Sequence, residues 1–571
     1  MKKILLLLII LTSTQFHLDA QTKAEKKWIK HQFKSLSLDE KIAQLMVLRA
    51  HSNWDAKKVD SLADLIKQYN IGGLCFFQGG PIRQAIQTNN YQKIAKTPLL
   101  ITIDAEWGIG MRLDSVEMFP RQLSLGAMPN SQLVYQMGAA IAEQCKRLGI
   151  QVNYAPVVDI NNNPANPVIN DRSFGQNKKT VIEYGIAYMK GMQDNGIMAA
   201  AKHFPGHGDV SVDSHNDIPV VAKSRDALDS MELAPFKALI DAGIESVMVA
   251  HLSVPAIDNA EKRPTSLSAK AVNGVLKTDL GFKGISVTDA LDMKAISNYY
   301  PEGEANVQAI LAGHDMLCLP GDIGQSIKRV KEAITEGRIS QKDIDARVKK
   351  ILAAKYKYGL SQLKSIDTLN IIADLNKSVG TIKEAMAKQS LTYLKANQRK
   401  AIKKGERIAY LALNTSKANH LSSALSVGYD ANVFFADGLD SAALADIEKQ
   451  LIGFDHVIVG LHNYNRKPAN HFEIPTNLLK FLNKTGHESW THIILGNPYA
   501  VADFPSIENI LFAYEDHSPS QKAVMLWLEG KIEAQGVLPV TVTNQLNYGA
   551  GHSTPLITSS NLQKKRLAQL I

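Results

Sequence analysis

The chain has 571 residues, more than one ordinary hydrophobic core holds, so two or more domains are expected. With 45% hydrophobic and 21% charged residues it is ordinary globular material, without the internal repeats or low-complexity tracts of a solenoid or a disordered tail. The formal net charge of +9 is spread without a Lys/Arg-rich block, which reads as a basic solvated surface and not as a nucleic-acid-binding one.

The N-terminus carries Lys2 and Lys3, an apolar run at 4–11, polar residues, and then Leu18, Asp19 and Ala20 before Gln21. This is the pattern of a secretory signal cut near residue 20, and its apolar run is too short for a stable membrane span. The mature protein is therefore expected across the inner membrane, periplasmic or extracellular, with no stable membrane insertion. No later segment reaches transmembrane length. Cys75, Cys145 and Cys318 are too few and too scattered for a disulfide framework or a zinc site, and read as buried free thiols.

Residues 24–48 have a helical character, with a helix start at Ser37, Leu38, Asp39 and Glu40. From there, apolar runs at 43–48, 71–77, 99–103, 152–158, 198–201, 246–250, 284–287 and 316–319 alternate with helix-like segments. Near-continuous apolar strands of this kind belong to a parallel sheet covered on its faces, and eight of them predict a (β/α)₈ barrel. Most of the runs end in polar residues: Asp104, Asp159, Lys202 with His203, His251 and Asp289. Charged groups delivered at the C-terminal ends of separate strands are what a barrel active site requires.

Residues 322–360 read as helical and 360–400 as a Lys-rich linker with helices. A second α/β rhythm follows, with strands at 408–413, 433–435, 456–461, 493–495 and 510–514 and helices at 441–451 and 520–529. It predicts a three-layer αβα sandwich. The expected boundaries are a signal at 1–20, a barrel at 21–365, a linker at 366–400 and a sandwich at 401–571.

The richest chemistry lies at 202–217, KHFPGHGDVSVDSHND. Pro205, Gly206 and Gly208 forbid a regular helix, so the stretch is read as a loop after a buried strand. Asp213 stands two residues before His215, a spacing at which a carboxylate can orient an imidazole and raise its pKa for proton transfer. Asp289 lies just past a buried strand and suits a nucleophile, a metal ligand or a cap; Asp292 competes with it from further along. His203 and His207 have a zinc-ligand spacing, but Pro205 and Gly206 break the helix that this spacing needs.

KHFPGHGDVSVDSH at 202–215, followed by VTDALDM at 287–293, resembles the family 3 glycoside hydrolases, and within them the β-N-acetylglucosaminidases. The resemblance extends into the second half through Gly496, Asn497, Pro498 and Tyr499 and through Glu529, Gly530, Gly536 and Pro539. It implies a retaining mechanism with Asp289 as nucleophile, His215 as general acid/base and Asp213 as its partner, in place of the usual two carboxylates. It further implies sugar binding by Asp104 and Arg112 in IDAEWGIGMR, Arg172 in NDRSFG, and Lys202 with His203. Trp107, Gly108, Ile109 and Gly110 depart from the plainer Gly-Gly-Arg run of many relatives, which bears on the pocket floor. The expectation is a secreted exo-enzyme removing terminal β-linked N-acetylglucosamine from cell-wall muropeptides or related oligosaccharides, with no metal and no cofactor. The alternatives are a family 3 β-glucosidase or phosphorylase, a metal-dependent barrel hydrolase using His203, His207 and Asp289, and a non-catalytic cell-wall binder.

Overall fold

The structure is a computed structural model and describes residues 21–213, 217–394, 401–485 and 490–553. The expected signal at 1–20 and His215 lie outside the described residues. Eight parallel strands form the first sheet: β1 Met46–Ala50, β2 Gly73–Phe76, β3 Leu100–Ile103, β4 Val152–Asn153, β5 Met198–Phe204, β6 Ser246–Val249, β7 Ile285–Thr288 and β8 Leu317–Cys318. Each pairs with its sequence neighbour, β8 returns to β1, and a parallel bridge from Val287 to Met316 closes β7 on β8. The result is the expected barrel, its strands buried almost without exception because helices cover the outside and side chains fill the inside.

Three strand expectations are corrected. Residues 38–43 are helical, so β1 starts at Met46; Ser37 and Glu40 form a capping box that starts the helix Leu38–Ala43. Regular pairing in 152–158 stops after Asn153, since Pro156 has no N–H to donate, although Lys202 N still donates to the Pro156 carbonyl at 3.1 Å. Finally, Lys202 and His203 do not follow the fifth strand but belong to it, and the loop begins only at Pro205.

Buried Lys355 sits below the barrel, on the helix Gln341–Lys357, and donates to Gln44 Oε1 at 2.7 Å. Burial pushes its ammonium down to about 7. Because the folded value lies below the unfolded one of about 10.4, the unfolded chain binds the extra proton between those values, and stability rises with pH in that window. Below pH 7 both states are protonated and the cost is complete. Lys355→Met is therefore expected to stabilise by about 2–4 kcal/mol at pH 6 and by under about 1 kcal/mol at pH 10. Denaturant unfolding at the two pH values checks this, and an equal effect at both refutes it.

The second sheet contains β9 Thr392–Leu394, β10 Ile408–Leu413, β11 Asn432–Ala436, β12 His456–Leu461, β13 Trp490–Ile494 and β14 Ile510–Phe512. Its order is β11-β10-β12-β13-β14-β9, parallel except for β9. Residues 366–400, read as a linker, carry the helices Ile371–Asn376 and Val379–Ser390 and then β9 itself. Two apolar layers flank the sheet, one around Leu411, Val459 and Phe512, the other around Tyr410, Ile458 and Leu511. Alternate residues of each strand supply them, which is the αβα sandwich expected.

The two halves meet through an apolar seam and a polar one. Leu123 and Ala127 of the barrel half join the first of those layers. Arg466 of the second half bonds Asp171 at 2.7 Å and also Glu515, while Asn497 Nδ2 donates to Asn170 Oδ1 at 2.6 Å.

Candidate active site

A cavity of about 770 Å³ lies where the barrel strands end. Asp104, Arg112, Arg172, Lys202, His203, Asp213 and Asp289 all line it, so seven of the eight residues singled out in the sequence share one space. His215, the eighth, lies outside the described residues.

The floor is an ion network. Lys202 Nζ, on β5, reaches Asp104 Oδ1 at 2.7 Å and Glu106 Oε1 at 2.8 Å. Arg112 closes on Asp104 Oδ2 at 3.1 Å, and Arg172 grips Glu106 with two bonds, at 2.9 and 2.7 Å. Burial alone would raise both carboxyls, but Lys202 with Arg112 on one side and Arg172 with Lys202 on the other hold them below the ordinary carboxylate range, Glu106 well below it. Burial alone would likewise lower the Lys202 ammonium; Asp104 and Glu106 outweigh it and keep it above its usual value. Three cations thus surround two ionised carboxylates. Fixed donors and acceptors of this kind match the hydroxyls of a polyol.

His203 is locked at both ring nitrogens. Its Nδ1 meets Asp159 Oδ2 at 2.7 Å and its Nε2 meets Arg172 Nη2 at 3.2 Å. Arginine can only donate, so Nε2 faces a donor while Nδ1–H points its proton at the Asp159 carboxylate. Buried Asp159 also accepts from the backbone N–H of His203 and of His207. With both His203 nitrogens committed, the metal-ligand reading of His203 and His207 loses its first ligand. Burial, with His203 alongside, pushes the His207 imidazole down to about 4, so at neutral pH it carries no charge toward the cavity.

Asp289 follows β7. Its backbone N–H bonds the Val249 carbonyl at 2.9 Å, and the Ala290 N–H donates to its Oδ1 at 2.8 Å. Burial raises its carboxyl, and His251, His203, the Ala290 N–H and Lys202 together more than reverse this, leaving the group below the usual range and ionised at neutral pH. His251, noted in the sequence only as a strand-end residue, orders this corner: Nε2 donates to the Ala290 carbonyl at 2.9 Å, and Nδ1 lies 2.6 Å from the Ser266 hydroxyl. Asp292, the rival carboxylate, faces Arg49 at 2.8 Å, with 38% of its side chain exposed. It is already neutralised and stands further out.

Sequence reasoning missed Glu106, Arg49 and Lys467. Glu106 had a local signal, since it stands two residues after Asp104 in the same motif; Lys467 had none, because it reaches the cavity from the other domain. Trp107, in the segment that departs from the family pattern, lines the cavity and carries the Arg121 guanidinium 4.0 Å above its ring.

A parallel barrel whose strand ends turn paired carboxylates and cations toward one cavity, with an αβα domain against its side, defines a class of enzymes that recognise polyhydroxylated substrates. Comparison with known proteins is more specific. Residues 37–354 match the glycosyl hydrolase family 3 N-terminal domain, and the chain belongs to that family. It is 29% identical over 547 residues to β-hexosaminidase A of Pseudoalteromonas piscicida, an alignment that covers 85% of this chain and 91% of that one. It is 32% identical over 334 residues to β-hexosaminidase LpqI of Mycobacterium tuberculosis, covering 56% of this chain and 83% of the other. Among solved structures it superposes on a family 3 β-N-acetylglucosaminidase from Paenibacillus with a TM-score of 0.75 and 30% identity, covering 89% of this chain and 99% of that one. Both halves therefore have counterparts in one relative.

Proposed function

We propose that the protein is a secreted retaining exo-β-N-acetylglucosaminidase that removes terminal N-acetylglucosamine from cell-wall fragments or related β-linked oligosaccharides. The observation that carries this reading is the shared cavity: Asp213 and the ionised Asp289 line the same space as the network of Asp104, Arg112, Arg172 and Lys202, whose donors and acceptors suit hydroxyls. The names of the relatives support the N-acetylglucosamine specificity.

In this reading the network grips the sugar and brings its anomeric carbon to Asp289. The carboxylate attacks, the bond to the leaving oxygen breaks, and His215 donates a proton to that oxygen. Water then attacks the glycosyl-enzyme while His215, now neutral, accepts a proton from that water, and the Asp289–sugar bond breaks. Asp213 orients the imidazole and favours its protonated form. An imidazole acid becomes neutral on giving up its proton, so it adds no negative charge beside Asp289 at the moment of attack.

His215→Ala is expected to lower kcat about 100-fold on an oligosaccharide, whose leaving oxygen needs a proton, and far less in the first step with a p-nitrophenyl leaving group. Steady-state and burst kinetics on the two substrates check this; an equal loss in both first steps removes the acid role.

The reading as a whole is tested with aryl β-glycosides, with and without the 2-acetamido group, assayed with chelator and with phosphate. Expected are preference for the 2-acetamido substrate, indifference to chelator, and free sugar as the product. A sugar 1-phosphate formed only with phosphate would make the enzyme a phosphorylase, loss with chelator a metal enzyme, and no turnover at all a binder. Secretion rests on the residue 1–20 pattern alone, and mass measurement of the mature N-terminus tests it.

A further inference from the structure

We propose that Lys467, supplied by the second domain, selects substrates whose leaving group carries a carboxylate. This rests on the glycosidase reading above and adds to it a residue that chooses the aglycone.

The first observation is a charge census of the cavity. Every other lysine and arginine that lines it is spoken for. Arg112 and Lys202 hold Asp104, Arg172 holds Glu106, and Arg49 holds Asp292. Lys467 lines the same cavity with no carboxylate within 4.0 Å of its ammonium among the described residues. Among the described residues it is the lining cation with charge to spare for a ligand.

The second observation is depth. The sugar-binding groups are buried: Lys202 is 2% exposed at its side chain and Glu106 1%, with Asp104 and Arg112 at 17%. The Arg49–Asp292 pair is at 38%, and Lys467 is exposed. Exposure rises from floor to mouth, and an exo-enzyme holds its terminal sugar on the floor, so the leaving group occupies the mouth. Lys467 therefore stands on the leaving-group side.

The third is bracing. The residue before it, Arg466, is clamped between Asp171 at 2.7 Å and Glu515. Asn497 Nδ2 donates to the Arg466 carbonyl at 3.0 Å and to Asn170 Oδ1 at 2.6 Å. The Lys467 N–H itself donates to Asn465 Oδ1 at 3.0 Å. Asn170 and Asp171 directly precede Arg172 of the floor, so the backbone at Lys467 is fixed relative to the bound sugar. Charge held at a defined place selects an oppositely charged group more by specificity than by raw affinity.

The test compares wild type, Lys467→Met and Lys467→Arg on N-acetylglucosaminyl-β-1,4-N-acetylmuramic acid, on its neutral methyl ester, and on p-nitrophenyl N-acetyl-β-glucosaminide. Wild type is expected to favour the free acid over the ester by about fivefold in kcat/KM, the range of an exposed ion pair, with the difference in KM. Lys467→Met should bring that ratio to one, Lys467→Arg should restore most of it, and all three should handle the aryl substrate alike. A fourth substrate, with the acid coupled to alanine, separates a sugar-borne from a peptide-borne carboxylate; preference for either supports the proposal. Equal use of acid and ester by wild type, or an unchanged ratio in Lys467→Met, overturns it. Failure of wild type on the aryl substrate would instead overturn the glycosidase reading.

Discussion

Asp289→Ala is expected to lower kcat on p-nitrophenyl N-acetyl-β-glucosaminide by about 10⁴-fold or more, the scale on which loss of a covalent nucleophile registers. The expectation follows from how the site distributes its carboxylates. Asp104 and Glu106 are held in ion pairs with Lys202, Arg112 and Arg172, and Asp292 is tied to Arg49. None of them can replace an attacking oxygen without breaking its own contacts. Asp289, by contrast, takes one N–H bond from Ala290 and keeps the rest of its carboxylate toward the cavity that it lines. The variant should still bind N-acetylglucosamine, because the floor network is untouched, and calorimetric titration checks this. Azide should partly restore turnover by taking the vacated place, and should give the glycosyl azide of inverted configuration. Activity within tenfold of wild type would mean that the nucleophile is another group.

The second large effect is expected from Lys202. Its ammonium is nearly sealed from solvent and bridges two carboxylates. Replacing it with Met leaves Asp104 with Arg112 and Glu106 with Arg172, each carboxylate short of one neutralising partner in a buried place. Removing one partner from such a network costs about 3–5 kcal/mol, here at the lower end because the arginines remain. The pH dependence follows from the direction of the shifts. Asp104 and Glu106 are depressed in the folded state, so the stability they contribute is complete above the unfolded values near 4 and is lost as pH falls through the folded ones. Lys202→Met reduces that depression. Its deficit should therefore be full at pH 7 and should narrow below about pH 4, as denaturant unfolding across that range would record. Lys202→Met should also raise KM for the sugar. A variant as stable as wild type at pH 7 would contradict this reading of the floor.

Much of this architecture was legible in the residues. Eight apolar runs announced a covered parallel sheet, and their polar ends named four residues of the cavity lining, Asp104, Lys202, His203 and Asp289. The errors fell where local composition is ambiguous. Residues 43–48 are apolar enough for either a helix end or a strand, and the helix started by the capping box at Ser37 and Glu40 takes in only Ala43 of the stretch before the strand opens at Met46. Lys202 and His203 looked like the start of a loop because polar residues of this kind are rare inside a strand; Asp104 and Glu106, which follow β3, and Asp159, which follows β4, partner them and make their burial tolerable. Glu106 was overlooked beside its more familiar neighbour Asp104. Lys467 was beyond reach altogether: it meets the cavity across a domain seam made by Arg466, Asp171 and Asn497, and no spacing within one segment encodes that meeting.

The most direct test is chemical trapping. Incubation with a 5-fluoro-N-acetyl-β-glucosaminyl fluoride, which slows breakdown of a glycosyl-enzyme more than its formation, should add one sugar mass to the protein, and peptide mapping should place it on Asp289. A sugar found on any other residue, or steady turnover of the reagent with no adduct, as expected if the substrate's own acetamido group did the attacking, would contradict the account.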